Sequence, residues 1–291
     1  MDLVVHPFHD AATGSWSYVL ANPAARACAV VDPVLDYDPR TGVAATTGAD
    51  RIVELVRANG YTVEWILETH VHADHLSAAR YLKSAFVCAQ VAIGRGVVEM
   101  QARLFPELGL AAPADGRQFD RLLEDGERVC VGHTCGRVMA TPGHTPGCVS
   151  YLFDGFAVVG DTLFAPDAGT ARCDFPGGDA VALHRSLTRL YALPDDTRLL
   201  LCHDYPPDGR DRRFWTRTSE QRAGNVMMRG DTTLEAFTAA RRARDATLGR
   251  PALIDVAVPA NLLGGILPGP VGPSIERAAA AGTAAAAAAG G

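Results

Sequence analysis

The sequence predicts a protein of mixed α and β structure (α/β, or α+β) in which two β-sheets pack face to face and helices cover their outer surfaces. Short apolar runs with strand character alternate with helical patterns in both halves of the chain. Histidine and aspartate residues directly follow several of these runs, so we expect them to meet at one rim of the sheets. With 291 residues, of which 48% are hydrophobic, the chain is long enough to bury a large core.

Strands are predicted where β-branched and apolar residues cluster between turn signals. In chain order they cover residues 16–20, 27–31, 63–67, 86–93, 128–131, 137–140, 149–153, 157–159 and 198–202. Helices are predicted where apolar residues recur at helical spacing, and they cover residues 50–59, 76–84, 97–104, 179–193 and 233–247. Asp50 is expected to cap the first helix and Asn59-Gly60 to end it, whereas the polar segment 36–42 is expected to be a loop.

The composition excludes several classes of function. A formal net charge of −6 gives no general attraction to nucleic acid or to an anionic membrane, so we predict neither as a partner. No apolar run approaches the length of a membrane span, and the first residues lack the basic segment and cleavage site of a secretory signal. The seven cysteines are an odd number and form no Cys-x-x-Cys motif, which favours reduced thiols in a cytoplasmic protein.

The strongest functional signal is a cluster of potential metal ligands that follows the predicted strand at residues 63–67. His70, His72, Asp74 and His75 lie within six residues of one another, where the buried strand gives way to a loop. Imidazole and carboxylate groups crowded together in this way suit a divalent metal such as zinc, iron or manganese. The cluster therefore predicts a metal site at this strand end.

Three further candidate ligands lie later in the chain. His144 lies in a loop that two prolines and two glycines stiffen, and Asp161 and His203 each end an apolar run. A titratable group at the end of a buried strand is costly unless it is paired or liganded, so we expect these three residues to join the metal site. The remaining histidines fit no such pattern and are expected to be structural or to lie at the surface: His6, His9, His133 and His184.

These residues together resemble the ligand set of the metallo-β-lactamase superfamily, over about residues 3–230. The stretches Thr69–His75, Pro142–Val149, Gly160–Phe164, Gly169–Phe175 and His203-Asp204-Tyr205 are similar to the persulfide dioxygenase group within it, which is close to glyoxalase II. The resemblance implies an αββα sandwich, with two mixed β-sheets flanked by helices. It also implies that residues 1–250 are a catalytic domain.

The ligand set permits two chemistries. If all seven residues bind, Asp161 bridges two metal ions, and a pair of zinc ions would hydrolyse a thioester as in glyoxalase II. The resemblance to persulfide dioxygenases implies instead one Fe(II) per chain, held by His70, His144 and Asp161, which leaves three positions open for substrate and O₂. His72, Asp74, His75 and His203 would then support the ligands without binding iron. A non-catalytic persulfide sensor is a third hypothesis.

The resemblance to the dioxygenase group also implies a substrate. Iron would direct O₂ to the terminal sulfur of glutathione persulfide, giving sulfite and glutathione. Arg172, in the segment Gly169–Phe175, suits a carboxylate of glutathione, and Tyr205 is a second candidate contact. Cys173 is expected to be an inert filler. Relatives of this type are often dimers, so a homodimer is an open expectation.

The end of the chain is expected to differ from this domain. Residues 251–291 are rich in glycine and proline and then become nearly all alanine. From residue 264 onward they carry no apolar periodicity that would bury one face, so we predict a flexible C-terminal extension with no functional residue. A helix in the alanine run is the alternative, which the flanking glycines and the lack of a partner face make marginal.

Overall fold

The computed structural model describes residues 3–267, and its strands lie in three sheets. The strands are β1 (Val4–His9), β2 (Trp16–Asn22), β3 (Ala27–Val31), β4 (Val34–Asp38), β5 (Val43–Ala45), β6 (Thr62–Leu67), β7 (Leu76–Ser77), β8 (Gln90–Gly94), β9 (Arg121–Leu123), β10 (Arg128–Val131), β11 (Thr134–Ala140), β12 (Val149–Phe153), β13 (Phe156–Val158), β14 (Arg198–Leu200) and β15 (Trp215–Arg217). The helices are α1 (Thr47–Asn59), α2 (Ala79–Ala85), α3 (Val97–Glu107), α4 (Ala180–Tyr191), α5 (Thr218–Gly224), α6 (Leu234–Asp245) and α7 (Ile254–Leu262).

Two six-stranded sheets form the centre of the molecule. The first has the strand order β1-β2-β3-β6-β8-β9 and the second the order β10-β11-β12-β13-β14-β15. Both are mixed, because β3, β6, β8 and β9 run parallel in the first sheet and β13 and β14 in the second, whereas the other pairs are antiparallel. A third, small sheet has the order β5-β4-β7.

Alternation along the strands divides the apolar side chains among three cores. In β2, Tyr18 and Leu20 face the second sheet, whereas Val19 packs with the helices on the outer side of the first. In β12, Tyr151 faces the first sheet and Leu152 packs with the helices outside the second. Because a strand presents successive side chains to opposite faces, each sheet is covered on both sides. The predicted αββα sandwich is therefore confirmed.

Several predicted elements differ in extent from the observed ones. The segment 36–42, expected to be a loop, contains the last three residues of β4 and the turn of a hairpin in which Asp38 of β4 pairs with Val43 of β5. Helix α1 begins at Thr47, so Asp50 lies in its first turn and not at its cap; there its carboxylate accepts hydrogen bonds from Thr46 and Tyr81. The end of α1 at Gly60 is confirmed, with a left-handed backbone at a φ of +63°.

The expectation of a flexible extension from residue 251 is wrong for α7. Its residues Ala257, Ala260 and Leu262 are fully buried against the helices and strands of the first sheet. The sequence pattern missed the helix because its apolar residues surround it, and a helix without a polar face has no periodicity to detect. The alanine-rich segment and the rest of the predicted extension, residues 268–291, lie outside the described residues.

A disulfide joins Cys130 of β10 to Cys135 of β11. The two residues are direct partners in the antiparallel register, which brings their side chains together. The expectation that every cysteine is reduced is therefore wrong for this pair, which a spacing of five residues gave no means of recognising. Within residues 3–267, no helix has both the length and the apolar character needed to cross a membrane.

Candidate metal centre

Loops from both sheets carry the predicted ligands to one rim of the sandwich. His70 follows β6 in the first sheet, and His144 lies between β11 and β12 in the second. Asp161 and His203 follow β13 and β14, which are parallel neighbours, so their carboxyl ends lie at the same edge of the sheet. As a result His203 Nε2 lies 3.5 Å from Asp161 Oδ1.

His70, His144 and Asp161 converge on one point. One ligand atom from each lies within 4.8 Å of the other two, and all three side chains are buried. Asp161 Oδ2 is 3.7 Å from Nε2 of both histidines, too far for a hydrogen bond with either. Among the described residues, His70 Nε2 and Asp161 Oδ1 have no hydrogen-bond partner, although both atoms are buried. Buried polar atoms left without partners in this arrangement fit a metal ion between them.

Hydrogen bonds on the far side of each imidazole orient these two histidines. Thr69 Oγ1 donates to Asp32 Oδ2 at 2.8 Å and accepts from His70 Nδ1 at 2.9 Å. His144 Nδ1 donates to the carbonyl oxygen of Arg172 at 2.8 Å. A proton on Nδ1 leaves the Nε2 lone pair free to bind a metal, and such outer contacts fix the ring. Burial also lowers the pKa of His70 well below its usual value, which favours the neutral, metal-binding form.

His72 has a different set of partners. Its Nε2 lies 3.2 Å from Asp32 Oδ1 and 3.5 Å from Glu68 Oε2, and Glu68 in turn accepts a hydrogen bond from Ser77. Burial disfavours the charged form of His72, but the nearby Asp32 carboxylate and its hydrogen bond outweigh burial and hold the pKa of His72 well above its usual value. His72 therefore pairs with carboxylates behind the centre, and its ring is not in the group that His70, His144 and Asp161 form.

Asp74, His75 and His203 lie beside the three-residue centre. His203 Nε2 is 3.2 Å from Asp74 Oδ2, and His75 Nδ1 donates to the carbonyl oxygen of Leu76 at 3.1 Å. Within residues 3–267, the donor atoms of Asp74, His75 and His203 do not converge as one group of possible ligands. Like His70 Nε2, His75 Nε2 is buried without a hydrogen-bond partner among the described residues.

Cys202 lies among these side chains, which the sequence did not indicate. Its sulfur converges with His72 and His75 on one side and with Asp161 and His203 on the other. The apolar run before it predicted a core filler, and the side chain is indeed buried. Burial raises the pKa of the Cys202 thiol above its usual value.

A glycine makes room for the loop that carries Asp161. Gly160 has a φ of +52°, and a Cβ at this position would lie 2.5 Å from Thr69 Oγ1. That oxygen is the atom that links His70 to Asp32. Both the backbone conformation and the close approach require glycine, so the two ligand-bearing loops can meet only because residue 160 has no side chain.

A cavity of about 380 Å³ opens over the centre. Most of its wall is apolar, and His144, Asp161, His203 and Asp74 are its acidic and histidine lining residues. The cavity is also lined by Tyr205, Phe164, Phe175, Ala73, Ala168, Ala171, Thr170, Met227, Leu248, Pro251, Arg172, Arg241 and Arg244. Its size suits a small organic molecule.

The two predicted substrate contacts both line this cavity. Tyr205 stacks on the ring of His203, with centroids 5.6 Å apart. The Arg172 guanidinium is already occupied, because its Nε and Nη2 donate to the two oxygens of Asp174, both at 2.6 Å, and Nη1 donates to Gly249 O at 2.7 Å. It also lies over the Phe175 ring. Arg172 is therefore part of the cavity wall, with its planar fork paired to Asp174.

Asn261 of α7 is a contact that the sequence analysis missed. Its Nδ2 donates to the carbonyl oxygens of His72 and His75, both at 2.9 Å, and its Oδ1 accepts from Ser77 N at 2.9 Å. All of these atoms are buried, and together they fix the backbone of the loop that follows β6. A single asparagine in an apolar helix gave no sequence signal for this role.

The ligand geometry agrees with the comparison to known families. A family model described as the metallo-beta-lactamase superfamily matches residues 11–203, a range that holds all seven predicted ligands. The chain belongs to the metallo-β-lactamase superfamily. Metal-dependent chemistry at the rim of the αββα sandwich is thus the activity that the family, the fold and the histidine and aspartate cluster support together.

Relatives within the superfamily carry several kinds of name, among them hydrolase, glyoxylase and persulfide dioxygenase. The chain is 47% identical to a probable metallo-hydrolase of Burkholderia pseudomallei, over 92% of this chain and 95% of that protein. It is 48% identical to a Beta-lactamase hydrolase-like protein of Xylella fastidiosa, over 91% of this chain but only 62% of that longer protein. It is 28% identical to the human mitochondrial persulfide dioxygenase ETHE1, over 87% of this chain and 85% of that protein.

A solved structure adds to the similarity with ETHE1 proteins. The crystal structure of ETHE1 from Myxococcus xanthus superposes with a TM-score of 0.72 and 30% sequence identity, and the match covers 90% of this chain and 99% of that one. The chain is therefore similar along most of its length both to proteins named as hydrolases and to persulfide dioxygenases.

Proposed function

We propose that this protein is an iron-dependent persulfide dioxygenase that oxidises glutathione persulfide with O₂. The observation that carries the proposal is the convergence of two histidines and one carboxylate, His70, His144 and Asp161, without His72. This donor set is typical of mononuclear non-haem Fe(II) sites. The similarity to ETHE1 proteins in sequence and in structure supports the same reading.

The proposed reaction is balanced as follows. Both atoms of O₂ are added to the terminal sulfur of glutathione persulfide, which is oxidised as O₂ is reduced. Water then cleaves the sulfur–sulfur bond, so that sulfite leaves and glutathione is regenerated with its thiol proton. The iron, when bound, supplies the redox chemistry that lets O₂ react with the sulfur.

The protein's own residues position the reactants. Thr69 and the Arg172 carbonyl hold the rings of His70 and His144, so that both Nε2 atoms face Asp161. Phe164 and Phe175 form apolar parts of the cavity wall, against which the organic part of the substrate can pack. Tyr205 stands at the cavity beside His203, where its ring can contact the organic part of the substrate.

A two-metal thioester hydrolase is the second candidate. The names of the relatives that are 47% and 48% identical favour it, since both are described as hydrolases or hydrolase-like. All seven ligand positions of such an enzyme are present in the chain. The arrangement of His72 weighs against it, because Asp32 and Glu68 hold that ring.

One experiment separates the two functions. Purified protein is loaded with Fe(II) or with Zn²⁺, and each form is given glutathione persulfide in an oxygen electrode or S-lactoylglutathione in a thiol-release assay. We expect O₂ uptake only from the iron form with persulfide, with one sulfite formed for each O₂ consumed. Rapid thioester hydrolysis by the zinc form, with no O₂ uptake by the iron form, would reject the proposal.

A further inference from the structure

Three arginines line the cavity, and they differ in what their charges contact. Arg172 forms a two-point ion pair with Asp174. Arg241 pairs with Asp245, with Nε 2.9 Å and Nη2 2.7 Å from Asp245 Oδ1. Arg244 has no carboxylate partner among residues 3–267, and its side chain is exposed. It is therefore the cavity cation whose charge is not already neutralised within the described part of the chain.

Buried contacts fix the helix that carries Arg244. Arg241 Nη1 donates to the carbonyl oxygen of Thr170 at 2.8 Å, and Asp245 Oδ2 accepts from Cys173 N at 3.0 Å. Both side chains are almost fully buried, so they attach the last turn of α6 to the loop that forms one side of the cavity. Arg244 lies between them in sequence and is held at the cavity by contacts that do not involve its own guanidinium.

We propose that Arg244 binds a carboxylate of the substrate and so selects thiol compounds whose organic part is anionic. An arginine with a free planar fork matches a carboxylate with two parallel hydrogen bonds. Arg172, the residue first expected to do this, already holds Asp174 in that geometry. The inference rests on the proposed function for its substrate, although persulfide and thioester derivatives of glutathione would present the same carboxylates.

The same helix supplies a matched control. Arg242 is also exposed and also lies in the last turn of α6, but it does not line the cavity. Both arginines are near the carboxyl end of the helix, where a cation offsets the helix dipole. A helix-stabilising role would therefore be lost equally in Arg242→Ala and Arg244→Ala. Only Arg244→Ala should lower the affinity for an anionic ligand.

The test is a calorimetric titration of the metal-loaded protein, without O₂, with glutathione and with its diethyl ester, in which both carboxylates are neutralised. We expect Arg244→Ala to bind glutathione about tenfold more weakly than wild type, the usual loss for a hydrogen bond between charged groups. Arg242→Ala should bind it as wild type does, and Arg244→Lys should fall between wild type and Arg244→Ala. The ester should bind equally weakly to wild type and to Arg244→Ala.

Three results would overturn the inference: equal affinities of Arg244→Ala and Arg242→Ala, no difference between acid and ester in wild type, or no measurable glutathione binding at millimolar concentrations. The binding assay is separate from the reaction. If glutathione binding depends on Arg244 but the iron form consumes no O₂, the carboxylate site stands and the proposed function fails. If O₂ is consumed and Arg244→Ala has the same affinity and KM as Arg242→Ala, the proposed function stands and the carboxylate site fails.

Discussion

Asn261 allows a direct test of whether α7 supports the metal centre. Replacing Asn261 with alanine removes both donors to the carbonyl oxygens of His72 and His75, and the acceptor for Ser77 N. A buried polar group left without its partner costs about 1–3 kcal/mol. The two carbonyls alone therefore predict a loss of about 2–6 kcal/mol in the free energy of unfolding, a large part of the total for an ordinary domain.

The loss is measured by urea unfolding of metal-free protein, followed by tryptophan fluorescence, and metal affinity by competition with a chelator. Asn261→Asp keeps the side-chain shape and an acceptor for Ser77 but has no donor, so it should be at least as unstable as Asn261→Ala. Asn59→Ala is the control, because Asn59 also donates to a carbonyl, that of Leu55, but is exposed. We expect Asn59→Ala to lower the free energy of unfolding by less than about 0.5 kcal/mol. Equal stability of Asn261→Ala and Asn59→Ala, with unchanged metal affinity, would refute the reasoning.

Three further predictions concern other parts of the chain. His144→Ala should lose bound metal and keep its fold. His184→Ala removes a histidine of α4 that does not line the cavity, so it should keep both the metal and the fold. Metal analysis and circular dichroism measure the two properties. Burial raises the pKa of Cys28 from 9.0 to about 12, so the folded state keeps a proton that the unfolded chain loses. This group alone should lower the free energy of unfolding above pH 9 by up to about 1.4 kcal/mol per pH unit, and urea unfolding of Cys28→Ala should show a smaller slope than wild type. Cys135→Ser removes the disulfide that closes a short loop with Cys130. It should lower the free energy of unfolding by about 2 kcal/mol in oxidised protein and leave it unchanged in reduced protein.

The sequence indicated which side chains converge at this rim because most of them end or directly follow an apolar run. Asp161 and His203 directly follow strand-like runs, where an unpaired charge would be costly. The local motif from His70 to His75 is also short enough to be read without knowledge of the fold. What it does not contain is the direction of each ring, since His72 turns towards Asp32 only because the ends of β3 and β6 meet.

Contacts between distant segments account for most of what was missed. Asn261 is 186 residues from His75, and neither the helix that carries it nor its partners are recognisable from local periodicity. The sequence predicted that Cys202 is buried. It could not predict that the neighbours of Cys202 are potential metal ligands, because the two sheets bring these residues together. Arg172 pairs with Asp174 and Arg241 with Asp245, which leaves Arg244 of α6 as the free cation of the cavity wall among the described residues.

The number of metal ions per chain tests the central claim most directly. Metal-free protein is titrated with Fe(II) without O₂, and the bound iron is counted after desalting, for wild type and for Asp161→Asn. A centre made of His70, His144 and Asp161 predicts one iron per chain in wild type and a much weaker site in the variant. Two tightly bound irons per chain, or one that binds Asp161→Asn equally well, would contradict the account.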